Sequence, residues 1–325
     1  MKIAVTGANG HVGANLCRSL LAEGHQVKAL IHQSNHSLEG LDLEFVNGGL
    51  HDLGALRNLC KDTEIVFHLA AMISIDGQKN KLLEVNVEGT KNLINVIQEN
   101  GVRRLIHFSS IHALSHFPLD QPMDEKRPLV LNGPTWYEIT KSKAEKMVLD
   151  ATSTGLDAVI INPTAIIGPH DFKPSLVGTV LIRLYKNSLP ALVPGGYDWV
   201  DVRDIVQGAI AAIDRGRKGE RYILSGNWVS VKDMALLVEK VTGKRVNKFM
   251  IPTFVAKIGV PFIKAYAKIT RQEPLYTFES LRTLLEVNTM ISSEKAHLEL
   301  GYSPRNFKIT IRDTMDWFRA NGYLA

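Results

Sequence analysis

Short apolar runs recur through the first half of the chain, at residues 2–6, 26–31, 43–46, 65–69, 105–108 and 158–161, with longer stretches of helical spacing between them. This alternation predicts βαβ units, whose right-handed crossovers build a parallel sheet. Ile65-Val66-Phe67-His68-Leu69 and Ala158-Val159-Ile160-Ile161 are almost unbroken apolar sequences, as central strands covered by helices on both faces must be. The expected fold class is therefore α/β, a Rossmann-type doubly wound parallel sheet. After Asn162-Pro163 the texture changes, because Gly168-Pro169, Pro174, Pro190 and Pro194-Gly195-Gly196 interrupt the pattern. Residues 1–167 are expected to form the sheet domain and 168–325 mainly a smaller C-terminal lobe. Residues 200–204 and 221–224 read as segments returning to the sheet, so about 198–225 would rejoin the first domain and the lobes would interleave around a cleft.

At 325 residues and 45% hydrophobic content the chain has ample material for a packed core. Met-Lys-Ile-Ala-Val runs straight into a strand without a signal-like apolar region, from which a cytoplasmic address is expected. The most apolar stretch, 251–269, is broken by Lys257, Lys264, Lys268, Pro252 and Pro261, which suits an amphipathic helix pair over a pocket better than a bilayer span. Net charge is +5 with a pI near 9.0, yet Lys and Arg read as scattered, so neither nucleic acid nor membrane is expected as a partner. Cys17 and Cys60 have no metal-ligand spacing, and no metal is expected.

Thr6-Gly7-Ala8-Asn9-Gly10-His11-Val12-Gly13 lies between the first strand and the first helix. Glycines there let backbone N–H groups approach a pyrophosphate at a helix N-terminus, so Thr6, Gly7, Asn9, Gly10, His11, Val12 and Gly13 are candidate dinucleotide contacts. The second strand ends in Leu30-Ile31-His32-Gln33-Ser34-Asn35-His36, without a carboxylate to bind ribose hydroxyls, while His32, Ser34 and His36 offer donors. NADP is the expected cofactor, with NAD possible. Tyr137 and Lys141 stand one helical turn apart, downstream of Ser109-Ser110. A phenol with a reference pKa of about 10 needs a neighbouring cation to exchange a proton near neutrality. Tyr137 with Lys141, and Ser110 to orient an oxygen, are thus the candidate catalytic residues, with Ser109 the fallback and Lys141 also reaching the nicotinamide ribose. His112, Asn162, Phe172 and Trp199 are candidate substrate contacts.

Taken together these residues resemble the extended short-chain dehydrogenase/reductase superfamily, the NAD-dependent epimerase/dehydratase family, over nearly the whole chain. The resemblance implies that Leu69, Ala70 and Ala71, after His68, flank the cofactor, that Asn86 is a structural asparagine, and that Pro163 lies beside nicotinamide. Leu50 is a further implied cofactor contact, in Gly48-Gly49-Leu50 where the related branch carries Gly-Asp-Leu with the aspartate facing adenine, so the adenine contact here would be weaker or main-chain only. Pro163-Thr164-Ala165-Ile166-Ile167-Gly168-Pro169, 228–234 and 299–304 are similar to the dihydroflavonol 4-reductase-like and hopanoid-associated sugar epimerase branch. The implied activity is NADP-dependent reduction of a carbonyl on a small, partly apolar substrate. The alternatives are an NAD-dependent nucleotide-sugar epimerase, with His170, Lys173, Arg183 and Asn162 on a diphosphate, and a dinucleotide sensor without turnover. Ile111-His112 stands where a dehydratase would carry Asp-Glu. A homodimer through the helices holding Asn86 and Tyr137 is implied by the same resemblance.

Overall fold

Seven strands pair in parallel in the order β3-β2-β1-β4-β5-β6-β9. They are β1 (Lys2–Thr6), β2 (Gln26–Ile31), β3 (Glu44–Asn47), β4 (Ile65–His68), β5 (Arg104–Phe108), β6 (Ala158–Pro163) and β9 (Arg221–Leu224); β7 (Ala165–Ile167), β8 (Gly196–Asp201) and β10 (Asn227–Ser230) form a separate three-stranded sheet. The computed structural model describes residues 1–325 except 33–34, 74–77, 271–277 and 286–287, and only the backbone of 262–270, 278–280 and 283. Ser34 therefore lies outside the described residues.

The period of two along each strand divides the apolar runs between two helix layers. Ile3, Val5, Ile65, Phe67, Ile106, Phe108, Val159 and Ile161 face a layer with the helices His11–Ala22 and Val202–Arg215. Ala4, Val66, Leu105 and Ile160 face Leu53–Cys60, Gly89–Glu99 and Trp136–Ser153. Burial on both faces is why β4 and β6 lack exposed positions. The crossover reverses between β1 and β4, which opens the ligand crevice of a doubly wound sheet at their carboxyl ends.

Residues 200–204 do not rejoin the large sheet as a strand. Val200 and Asp201 end β8, which pairs with β7 and β10, and Val202–Arg215 is instead the helix that returns to cover the large sheet. The helix Glu294–Leu300 also packs there through Ala296, Leu300 and Tyr302, so the last third of the chain is not confined to the smaller lobe. Arg203 pairs with Asp201 and Asp313, and Arg305 with Asp204, which ties the helix Phe307–Ala320 to this crossover. Cys17 and Cys60 are buried and free, and burial pushes both thiols up to about 12, so they are inert at neutral pH.

Candidate active site

Gly7 takes φ +70, and a Cβ there would meet Ala70 N at 2.6 Å, so the turn sits directly against the segment after β4. A Cβ on Gly13 would lie 2.2 Å from Gly7 O and 2.7 Å from Ala8 Cα. Gly10 caps the helix His11–Ala22 without any side-chain hydrogen bond, which leaves the first N–H groups of that helix directed at the crevice. This cradle and its donor set fit a dinucleotide pyrophosphate. Gly13→Ala must displace backbone atoms that have nowhere to go. It is expected to lower stability by roughly 1–3 kcal/mol and to abolish the thermal shift given by NADPH, as differential scanning fluorimetry would report.

Asn9 is committed to the protein: its side-chain oxygen and main-chain carbonyl accept from Ser37. His11 and Asn15 both hold Pro169 O, at 3.0 Å each, and pin the loop after β7 over the helix. Val12 lies in the first turn, exposed Ala71 follows Leu69 and Ala70 beyond β4, and Pro163 ends β6 opposite Leu224. Leu50 packs on Gly89, where a Cβ would come within 2.7 Å of it, and Asn92 donates to Leu50 O. His32 is exposed at the end of β2 beside Gly49. One cation near this loop is not evident from the local sequence: Arg18, two turns along the first helix, donates to Ser37 O and lies 5.2 Å from the Phe172 ring.

A directed hydrogen-bond chain connects this turn to the Tyr137 helix. Thr90 Oγ1 donates to Asn86 O and so accepts from His68 Nε2–H; His68 Nδ1 is left to accept from the Thr6 hydroxyl, which itself accepts from Ala70 N–H. Burial and the Lys141 ammonium hold His68 down to about 3, so this neutral tautomer persists. Asn86 lies in a π-helical turn, Leu83–Glu88. It exchanges two hydrogen bonds with the Met72 backbone and donates to Thr140 Oγ1, which donates to Tyr137 O.

The helix Trp136–Ser153 begins with a reciprocal cap between Thr135 and Glu138, which places Tyr137 in its first turn and Lys141 one turn on. Lys141 is 4% exposed and donates from Nζ to Phe108 O at 2.7 Å. Burial lowers its pKa to about 8, and Glu145 opposes the shift. Tyr137 is pushed up by burial, partly offset by the Ser110 hydroxyl facing its phenol. Ser110 Oγ accepts from His112 N–H at 3.2 Å, which leaves the hydroxyl proton free to donate. Ser110 thus faces the Tyr137 phenol just beyond β5, and Lys141, one turn along the helix, is bonded to the last residue of that strand.

Behind them lies a buried group that the motif reading missed. Glu145 is fully buried, accepts from Asn162 Nδ2 at 2.8 Å and pairs with Arg221 Nε at 2.8 Å; Asn162 also donates to Ser110 O. The available signal was its position, four residues after Lys141 on one helical face. Asn162 is accordingly consumed in holding Ser110, and it offers nothing to a substrate phosphate.

The other substrate candidates divide. His112 is 6.5 Å from the Tyr137 ring and helps line a cavity of about 240 Å³ with His116, Phe117, Val130, Glu138 and Arg282. Burial lowers His112 to about 4, so it is neutral there. Trp199 is turned into the small lobe, its indole N–H bonded to Val229 O. Phe172 packs on Trp317, Arg18 and His36, over the first helix and away from that cavity. His170 is lowered to about 4 by burial and by Arg18, and its Nδ1–H is taken by Asn15 Oδ1.

A model of the NAD dependent epimerase/dehydratase family matches residues 3–225. Sterol demethylase protein B of Methylococcus capsulatus is 35% identical over the full length of both chains. A putative dihydroflavonol 4-reductase of Synechocystis is 32% identical, covering 98% of this chain and 95% of its own. A 4-hydroxy-2-methyl-3-oxo-4-farnesyl-3,4-dihydroquinoline-1-oxide ketoreductase of Stigmatella aurantiaca is 26% identical, covering 99% and 97%. Among solved structures, that of gox2253 superposes with a TM-score of 0.85 at 31% identity over 99% of both chains.

Proposed function

The chain belongs to the NAD dependent epimerase/dehydratase family of extended short-chain dehydrogenases/reductases, an NAD(P)-dependent oxidoreductase group, and from that premise we propose that it is an NADP-dependent ketone reductase. The observation that carries this reading is the convergence of a neutral phenol, a buried ammonium and a free hydroxyl proton beside a glycine cradle. The bound dinucleotide supplies the hydride. Ser110 donates to the carbonyl oxygen, its own lone pair engaged by His112 N–H, and Tyr137 delivers the proton to the forming alkoxide. Lys141 would stabilise the resulting phenolate, and its Nζ protons not used by Phe108 O would hold the nicotinamide ribose of a bound dinucleotide.

The substrate is a ketone on an apolar framework. The cavity walls include Leu114, Phe117 and Val130, and two relatives are named for a sterol and a farnesylated quinoline. Preference for NADP is supported by the loop after β2, where no carboxylate follows Ile31 and Arg18 approaches from the first helix. Of the groups an epimerase would set on a diphosphate, His170 is neutral and already bonded to Asn15, which leaves only Lys173 and Arg183 to that reading.

Steady-state oxidation of NADPH and NADH with alkyl and polycyclic ketones tests this. NADPH should be preferred, and the rate should fall through an alkaline limb near pH 8, where Lys141 loses its proton. Tightly retained NAD together with interconversion of nucleotide sugars would overturn it.

A further inference from the structure

One exposed surface has no part in the chemistry just described. In the helix Thr253–Thr270, Ala256 and Val260 face inward against Val193, Leu281 and Leu284. On the opposite side Phe254 and Ile258 are each 65% exposed, one turn apart, with exposed Pro261 continuing the stripe and Val255 beside it at 40%. Phe249, five residues ahead of Phe254, is also 65% exposed. Two phenylalanines and an isoleucine held open on one short segment are not the scattered single residues of an ordinary surface.

The charge around them is one-sided. Residues 240–270 hold seven of the 38 basic residues and none of the 33 acidic ones, so the remaining 31 basic residues face 33 acidic ones and the net positive charge of the chain arises here. The reading of a scattered basic charge is corrected accordingly. Lys244 and Arg245 are exposed a few residues ahead of Phe249, the Lys244 ammonium over the Tyr185 ring, and Lys257 is exposed next to Ile258 in the helix. No helix among the described residues is long and apolar enough to cross a membrane.

We propose that this face, Phe249, Phe254 and Ile258 rimmed by Lys244, Arg245 and Lys257, docks the protein onto the surface of an anionic lipid bilayer. The apolar side chains enter the headgroup boundary while the basic rim meets lipid phosphates. Docking does not depend on the hydride chemistry, but it suits it. The inward face of the same helix packs on Leu281, adjacent to Arg282 at the cavity beside Tyr137, so a lipid ketone would leave the bilayer close to the place where it is reduced.

Flotation of the full-length chain with vesicles of phosphatidylcholine alone, or mixed with phosphatidylglycerol, tests the docking directly. Binding to the mixed vesicles should exceed that to neutral ones by about tenfold and weaken with added salt. Phe254→Ser with Ile258→Ser should reduce it on the order of tenfold or more. Lys257→Glu should cost on the order of fivefold or more, and only on anionic vesicles. All three side chains are exposed, so unfolding temperatures should be unchanged; should the paired variant melt early, Phe249→Ser repeats the apolar test. Equal recovery of wild type with and without anionic lipid would overturn the proposal. So would a dimer in size-exclusion chromatography that the paired substitution splits, since a second copy would then own this face.

Discussion

Replacing Tyr137 with phenylalanine is expected to slow ketone reduction on the order of 10²-fold or more while leaving the affinity for NADPH within about twofold. The ring remains, so the first turn of its helix keeps its packing and the Thr135–Glu138 cap is untouched. What disappears is the single proton placed opposite Ser110, on a phenol that burial keeps protonated throughout the neutral range. The dinucleotide cradle lies on β1 and the first helix, and Lys141 stays bonded to Phe108 O. The loss should therefore fall on kcat, with little change in the KM for NADPH. Steady-state kinetics paired with a fluorescence titration of NADPH make the measurement, and unchanged turnover would remove Tyr137 from the mechanism.

Arg221→Met is expected to lower stability by roughly 3–5 kcal/mol in urea unfolding at neutral pH. Arg221 sits on β9 and is the ion-pair partner of Glu145, a carboxylate with no exposed surface. The Asn162 amide, the Ser109 hydroxyl and the weaker pull of the Lys141 ammonium remain on that carboxylate, but Arg221 is its largest stabilising partner. Removing the guanidinium leaves the carboxylate to protonate or to disrupt the sheet edge between β6 and β9. Burial already raises the Glu145 pKa above its ordinary value, and the variant would raise it further. A carboxyl whose folded pKa exceeds its unfolded one loses stability as pH rises through that interval, so the deficit should shrink on acidification to about pH 5. Glu145→Gln combined with Arg221→Met should recover most of the loss, because the buried carboxylate and its guanidinium partner are then removed together. A deficit independent of pH, or one that persists in the double variant, would show that lost packing dominates.

Much of the candidate site was legible in local sequence because its members are close neighbours along the chain. Tyr137 and Lys141 share a helix face by spacing alone, and the glycines of the first turn act within eight residues of one another. The central strands β4 and β6 were the most legible, because full burial on both faces demands continuous apolar runs. Where the reading went astray, the deciding partner was remote in the chain. Asn162 looked available for a phosphate until Glu145 and Ser110 O claimed its amide, and Phe172 looked like a substrate wall until the loop after β7 carried it to Arg18. Residues 200–204 had the pattern of a strand, but their pairing belongs to β7 and β10, a choice that no local periodicity encodes.

Periodicity and short-range spacing were enough to specify a doubly wound sheet, a dinucleotide turn and a phenol–ammonium pair, since each rests on side chains a few positions apart. Only three-dimensional packing set the protonation of that pair. Burial lowers Lys141, Glu145 at the next turn counters it, and Arg221 makes the buried carboxylate tolerable from 76 residues away. Desolvation depends on what surrounds a group in space, and that is settled when distant strands come together.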